Sequence, residues 1–354
     1  MKEIKLGKTL VGDNHPVYII AELSCNHRGD KQIALDTIKA MATSGADCVK
    51  IQTTTPEGLT IDCDKDAFIF KGGTLWDGRT LFDLYKETQT PYDWHQEMKD
   101  LALSLGLDFL STPVSKGAVD FLENLGIDFY KVAGYEIMDI PLIEYIAKKG
   151  KPVIFSTGLA TKEDIELAIE TCKSVGNDQY IFLKCTSAYP TKWNQVDLNL
   201  IPKLKEDFNC IVGLSDHSLG HLIPVTSVAM GAKIIEKHFI LDKKLGGPDV
   251  EFSMDPFEFK EMVTQVRRTE EALGYNNYKI DEDVANSRKF ARSLFVVKDV
   301  KKDDIVTEEN VRSIRPGIGI HPKHLKELLG KSFKRDIEFG TPMELNFVEI
   351  NFKP

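Results

Sequence analysis

The chain has 354 residues, 42% of them hydrophobic and 28% charged, and a formal net charge of −9 at pH 7. That length exceeds one ordinary domain, so a second, smaller domain is expected beside the first. The acidic balance argues against a nucleic-acid surface and no apolar run approaches a membrane span. The opening MKEIKLGKTLVGD lacks the apolar stretch of a signal peptide, so a cytoplasmic protein is the expectation.

Residues 1–16 predict a small hairpin, IKLG and KTLVG about Gly7, placed to plug the bottom of whatever follows. Eight apolar runs then end in polar residues, with helical stretches between them: VYIIAELS (17–24), DCVKIQT (47–53), DFLSTP (108–113), FYKVAG (129–134), VIFSTG (153–158), YIFLKCT (180–186), IVGLSDH (211–217) and KIIEKHF (233–239). Eight strand–helix units are the number that closes a parallel TIM barrel, whose chemistry lies at the C-terminal strand ends. A long excursion at 54–90 follows the second run, on the loop side where substrate pockets form. DPFEFKEMVTQVRRTEEAL (255–273) reads as the last barrel helix, so the barrel domain is placed at 1–273. Residues 274–289 are polar and read as an irregular linker, and 290–354 as a small β-rich domain containing one short helix. The six cysteines include no close pair suited to a zinc knuckle, and Cys48, Cys185 and Cys210 read as small core residues.

Lys50, Lys131 and Lys184 stand near the ends of apolar strands. Lysine is rarely buried unpartnered, so several at one barrel mouth suggest a phosphate or carboxylate ligand, with Thr112, Ser156 and Ser215 adding hydroxyl donors. The competing account is that each lysine snorkels to solvent, and a Schiff-base aldolase would also use a barrel lysine. His217 and His238 end adjacent strands, a placement that lets two imidazoles share one metal. His27, His95, His221, His321 and His324 fall in loops or helices, where surface positions are expected. Glu22 lies within an apolar strand, where a carboxylate is costly unless it is paired or catalytic. Asp249, on a glycine-rich loop, either approaches a ligand or forms a turn. Arg315, on the IRPGIG turn, is either a surface residue or an arginine offered to a neighbouring mouth.

In order, AELSCNH, VKIQT, FLSTP, YKVAGYE, FSTG, LKCTSAYPT, GLSDHS, IEKHF, GPD and RPGIG resemble the sialic acid synthase family over nearly the whole chain. Within it, FKGGTLWDGRTLFDLY, TPYDWH and LKCTSAYPT are similar to the pseudaminic acid synthases rather than to the neuraminate or legionaminate synthases. The resemblance implies a phosphoenolpyruvate-using TIM barrel joined to a small antifreeze-like (SAF) domain, in a dimer whose small domain caps the partner's barrel. By position it implies phosphoenolpyruvate contacts at Lys50, Thr112, Lys131, Ser156 and Ser215, and sugar contacts at Gln52, Tyr189, Asp249 and Arg315. It further implies a catalytic carboxylate at Glu22 and metal ligands at His217 and His238, for Mn2+ or else Mg2+ or Co2+. The implied sugar is a 2,4-diacetamido-2,4,6-trideoxy-altrose, with Phe68, Phe70, Trp76 and Tyr189 as candidates for apolar walls, and the product would serve a cell-surface glycan or a glycosylated flagellin. One departure stands out. Where the family commonly has a phosphate-binding serine shortly after the lysine of YKVAG, this chain has Gly134, which offers only a backbone N–H. The competing readings are another sugar for the same reaction, a Schiff-base aldolase, and a non-catalytic carbohydrate- or ice-binding protein.

Overall fold

The structure is a computed structural model that describes residues 2–71, 77–274 and 277–349. β1 (Glu3–Leu6) and β2 (Thr9–Gly12) form an antiparallel hairpin. The eight predicted runs are β3 (Tyr18–Glu22), β4 (Cys48–Thr53), β5 (Asp108–Pro113), β6 (Tyr130–Val132), β7 (Val153–Ser156), β8 (Tyr180–Cys185), β9 (Ile211–Asp216) and β10 (Ile234–His238). They pair in parallel and in chain order, and β10 closes onto β3 to complete the TIM barrel.

Side-chain alternation sorts each strand into two faces. Alternate residues such as Ile19, Val49, Phe155 and Leu214 join the layer beneath the helices. Ile20, Leu110, Ile154, Ile181 and Ile234 fill the lower barrel, where Ile4, Leu6 and Val11 of the hairpin pack against them as a stopper. Each fully buried aliphatic side chain here contributes about 1.5–3 kcal/mol relative to exposure. The helices carry their own start and stop signals. Thr161 and Asp164 form a capping box on Lys162–Ser174, Asp255 and Glu258 do the same on Pro256–Leu273, and Gly126 in the left-handed region ends Lys116–Leu125.

The excursion holds a short helix at Pro56–Leu59 and a second at Leu81–Thr88. Its two ends are tied down by His27 and His95, and here the surface expectation for these histidines fails. Both are fully buried: His27 Nε2 meets Thr90 Oγ1 at 3.2 Å, and His95 Nε2 meets Thr53 Oγ1 at 2.9 Å. Burial pushes both imidazoles down to about 4, so they stay neutral and serve as hydrogen-bonding struts.

The chain divides into two compact units, Met1–Gly274 and Tyr275–Pro354. In the second, β11 (Ser293–Val296) and β12 (Val311–Ile314) pair antiparallel over a core that includes Leu294, Val296, Phe333 and Phe347. The polar stretch before it is more ordered than expected: Asp281 caps a short helix at Glu282–Ser287. Among the described residues no helix is long and apolar enough to cross a membrane.

Candidate active site

At the C-terminal end of the barrel, alternation turns Glu22, Lys50, Gln52, Thr112, Lys131, Ser156, Ser215 and His238 to the inner face, with His217 just past the end of β9. Lys50 is buried and holds two carboxylates at once, Glu22 and, at 3.0 Å, Glu236. Gln52 Nε2 donates to Glu22 Oε1 at 3.0 Å, Ser215 Oγ donates to Glu236 Oε1 at 3.0 Å, and Lys131 Nζ donates to Ser156 Oγ at 2.6 Å. The mouth is thus a buried cluster of two carboxylates and two ammoniums, ringed by hydroxyls.

Burial works against charge on all four, and their mutual fields decide the outcome. For Glu22, burial is outweighed by Lys50 and then His238, which hold the carboxyl down at about 2. For Glu236, Lys131 and Lys50 likewise outweigh burial and lower it. Lys50 is raised because Glu22 and Glu236 overcome its burial, whereas burial prevails for Lys131 and lowers it. Glu22 is therefore an ion-paired carboxylate, as one of its two readings has it, and it lies at the mouth.

Lys184 departs from the expectation of three converging lysines. It stands on the opposite parity of β8 and donates to the Cys185 carbonyl and the Thr186 hydroxyl, both at 2.8 Å. Two lysines, Lys50 and Lys131, enter the cluster.

His217 and His238 face one another with ring centroids 5.3 Å apart. His217 Nδ1 is within 3.1 Å of the Thr186 carbonyl oxygen, which fixes the tautomer and leaves Nε2 with a lone pair. Burial, reinforced by His238, lowers His217 to about 4 and keeps it neutral. His238 is buried too, but Glu22 and Asp249 outweigh that burial and raise it. Its Nδ1 lies 3.3 Å from Asp249 Oδ2, an ion-pair separation without hydrogen-bond alignment, and its Nε2 lies 3.6 Å from Glu22 Oε2. Among the described residues no group of three or more His, Cys, Asp or Glu forms a ready-made metal cage. The donor set nevertheless fits a cation held by a neutral imidazole and a second one backed by a carboxylate.

Tyr189 covers this pair from the solvent side. Its ring centroid lies 4.5 Å from that of His217 and 5.4 Å from that of Phe252, and the Tyr189–Pro190 bond is cis. Arg315 belongs to the second unit, directly after β12, and its bond to Pro316 is also cis. Phe68 and Phe70 are partly buried on the excursion, and Trp76 lies outside the described residues.

Three residues were missed from sequence. Glu236 stands two residues before His238, so counting by twos along KIIEKH would have found it. Phe252 packs its edge on both imidazoles, at 5.7 and 4.9 Å between centroids, from a loop with no periodic signal. Ser187 bears on the missing serine. A side chain built on Gly134 would start 3.1 Å from Ser187 Oγ, so a hydroxyl from the loop after β8 lies beside the position where the serine is absent. Thr112 Oγ1 is buried without a hydrogen-bond partner among the described residues, and Ser187 Oγ is buried beside Tyr189 without a well-formed hydrogen bond.

The NeuB family matches residues 37–278, and a SAF domain matches residues 291–348. The chain is 49% identical to a pseudaminic acid synthase of Campylobacter jejuni, over 93% of this chain and 95% of that protein. It is 43% identical to one of Helicobacter pylori, over 94% and 98% respectively. Among solved structures it is similar to the N-acetylneuraminic acid synthetase of Leptospira borgpetersenii, with 32% identity, a TM-score of 0.72, and coverage of 81% of this chain and 95% of that one. The fold and the relatives are those of the phosphoenolpyruvate-dependent sugar-acid synthases. The chain belongs to the NeuB family.

Proposed function

We propose that this protein is a pseudaminic acid synthase. It would condense phosphoenolpyruvate with open-chain 2,4-diacetamido-2,4,6-trideoxy-β-L-altropyranose and water, giving pseudaminic acid and inorganic phosphate. The observation that carries this reading is the buried Lys50–Lys131–Glu22–Glu236 cluster, with hydroxyls beside it, next to the imidazole pair. The choice of sugar rests on the identity to the two bacterial synthases.

In this reading Lys50, Thr112, Lys131, Ser156 and Ser215 hold phosphoenolpyruvate, and Ser187 supplies the hydroxyl that Gly134 lacks. Gln52, Tyr189 and Asp249 face the sugar, joined by Arg315 from the second copy in a domain-swapped dimer. His217 and His238 would hold a divalent cation, Mn2+ first and Mg2+ or Co2+ as alternatives, which when bound polarises the sugar aldehyde. The methylene carbon of phosphoenolpyruvate attacks that aldehyde carbon, forming the C–C bond and leaving positive charge at the pyruvyl C2. Glu22, held ionised, accepts a hydrogen bond from the water that adds at C2, and the proton that water releases goes to the alkoxide left on the former aldehyde oxygen. The resulting adduct loses phosphate by C–O cleavage, while Lys50, Lys131 and the hydroxyls balance the charge that moves onto the leaving group.

The test is phosphate release from phosphoenolpyruvate with three sugars in parallel: the diacetamido-trideoxy-altrose, N-acetylmannosamine and the legionaminate precursor. Release with the altrose, lost on chelation and restored by Mn2+, is expected. Release with a different sugar would keep the chemistry and replace the substrate. A second reading draws on Lys131, whose ammonium is lowered by burial as a Schiff-base lysine requires. Borohydride trapping of pyruvate on Lys131, with turnover insensitive to chelation, would favour it.

A further inference from the structure

Asp216 and Lys237 form a buried ion pair that this chemistry does not use. Each stands one residue before a histidine of the pair, Asp216 on β9 before His217 and Lys237 on β10 before His238. Their side chains are 2% and 0% exposed, and Lys237 Nζ lies 2.6 Å from Asp216 Oδ2. Lys237 also donates to the Ser218 carbonyl, while Asp216 accepts from the Ser218 amide at 3.1 Å and its hydroxyl at 3.0 Å. By strand alternation the pair lies on the outer face, where Val212, Leu214, Ile235 and Phe239 belong to the apolar layer. A charge pair there gives up more hydration than an aliphatic pair would, and apolar replacement of such pairs is often neutral or stabilising. Stability is therefore a poor account of why it is there.

Register offers a better one. The β9–β10 ladder runs Leu214–Ile235, Ser215–Glu236 and Asp216–Lys237, and it ends at that rung. The imidazoles come one residue later, beyond the last β9–β10 pairing: His238 is tied to Glu22 of β3 and His217 to Thr191, so no backbone rung sets one histidine against the other. Lys237 grips the chain on both sides of His217, through the Asp216 side chain before it and the Ser218 carbonyl after it. We propose that the Lys237–Asp216 pair is a positioning clamp that sets the separation and facing of the His217 and His238 rings for a divalent cation. The inference rests on the reading of those histidines as cation ligands. Residues that support ligands from behind typically change metal affinity by about 10–100-fold when removed.

The experiment titrates Mn2+ alone into the full-length chain and reads free Mn2+ by electron paramagnetic resonance. The main variant, Asp216→Leu with Lys237→Met, removes both charges together and so leaves no orphaned buried ion. Asp108→Asn, at the opposite end of the barrel, serves as a destabilised comparison, and His217→Ala as the ligand control. Wild type should bind Mn2+ in a His217-dependent way. The double variant, folded by circular dichroism, should bind about 10–100-fold more weakly, while Asp108→Asn lowers the melting temperature and leaves Mn2+ affinity unchanged. If the double variant does not fold, Asp216→Asn, isosteric and still able to accept from Lys237, should weaken binding several-fold. Unchanged affinity in the folded clamp variant, or equal weakening by Asp108→Asn, would overturn the clamp. A wild type with no His217-dependent Mn2+ binding would overturn the cation reading itself and the clamp with it.

Discussion

In the proposed function, Ser187 keeps from another strand end the place of the hydroxyl that Gly134 lacks. A serine restored at 134 would bring its Cβ to 3.1 Å from Ser187 Oγ and 3.4 Å from the Gly158 amide nitrogen, so the site has room for one hydroxyl there and not two. The left-handed region is not involved at Gly134, so a substitution is judged by crowding and not by backbone strain. A hydrogen bond to a charged group contributes about 1.5–3 kcal/mol. We therefore predict that Ser187→Ala raises the KM for phosphoenolpyruvate about 10–100-fold and leaves that of the sugar largely unchanged. Gly134→Ser alone should also impair phosphoenolpyruvate binding, through crowding, and the two changes combined should recover most of the loss. Steady-state kinetics on the four proteins checks this, and losses that simply add would sink the idea of one shared position.

At the scale of elements, the hairpin β1–β2 acts as a latch as well as a stopper. Asp108, at the start of β5, accepts from the Tyr18 hydroxyl at 2.7 Å, the Lys8 amide at 3.2 Å and the Thr9 hydroxyl at 3.3 Å. This close approach needs glycine at the turn: Gly7 has φ +55°, and a Cβ there would lie 2.3 Å from Asp108 Oδ1. The left-handed conformation costs a residue with a Cβ about 1–2 kcal/mol, before the clash is added. Gly7→Ala should accordingly destabilise the chain by at least about 1 kcal/mol in urea unfolding, without altering either KM, because the latch is at the end of the barrel remote from the chemistry. A change in substrate KM with no loss of stability would contradict this division of labour.

At the scale of the whole molecule, the proposed function would draw its site from two chains. Each barrel would hold Glu22, and the second copy's small domain would bring Arg315. Swapped dimers of this kind have a simple signature in mixtures. Glu22→Ala and Arg315→Ala should each be nearly inactive by itself. Unfolded and refolded together, they should recover about a quarter of wild-type turnover, because half of the random dimers are mixed and each mixed dimer has one intact site. No recovery, with dimers present by sedimentation, would place Arg315 in its own chain's site instead.

What the amino-acid sequence determined is whatever a local period can encode. Eight apolar runs with polar ends imply eight strands, and the order of Glu22, Lys50, Lys131, His217 and His238 along those ends implies a shared mouth, because a parallel barrel puts every such end on one face. Tertiary structure decided which of two faces a strand-end residue takes and what it meets there. Lys184 and Lys131 look alike in sequence, yet parity turns one outward and the other into the cluster. Glu236 shares the parity of His238 in EKH, but what it meets was decided when β10 set its register against β9. His27 and His95 sit in polar stretches that read as surface, and they are buried because the excursion folds back over them. Ser187 Oγ comes beside Gly134 because closing the barrel brings two distant strand ends together. These outcomes depend on distances between strands, and those distances are set when the barrel closes.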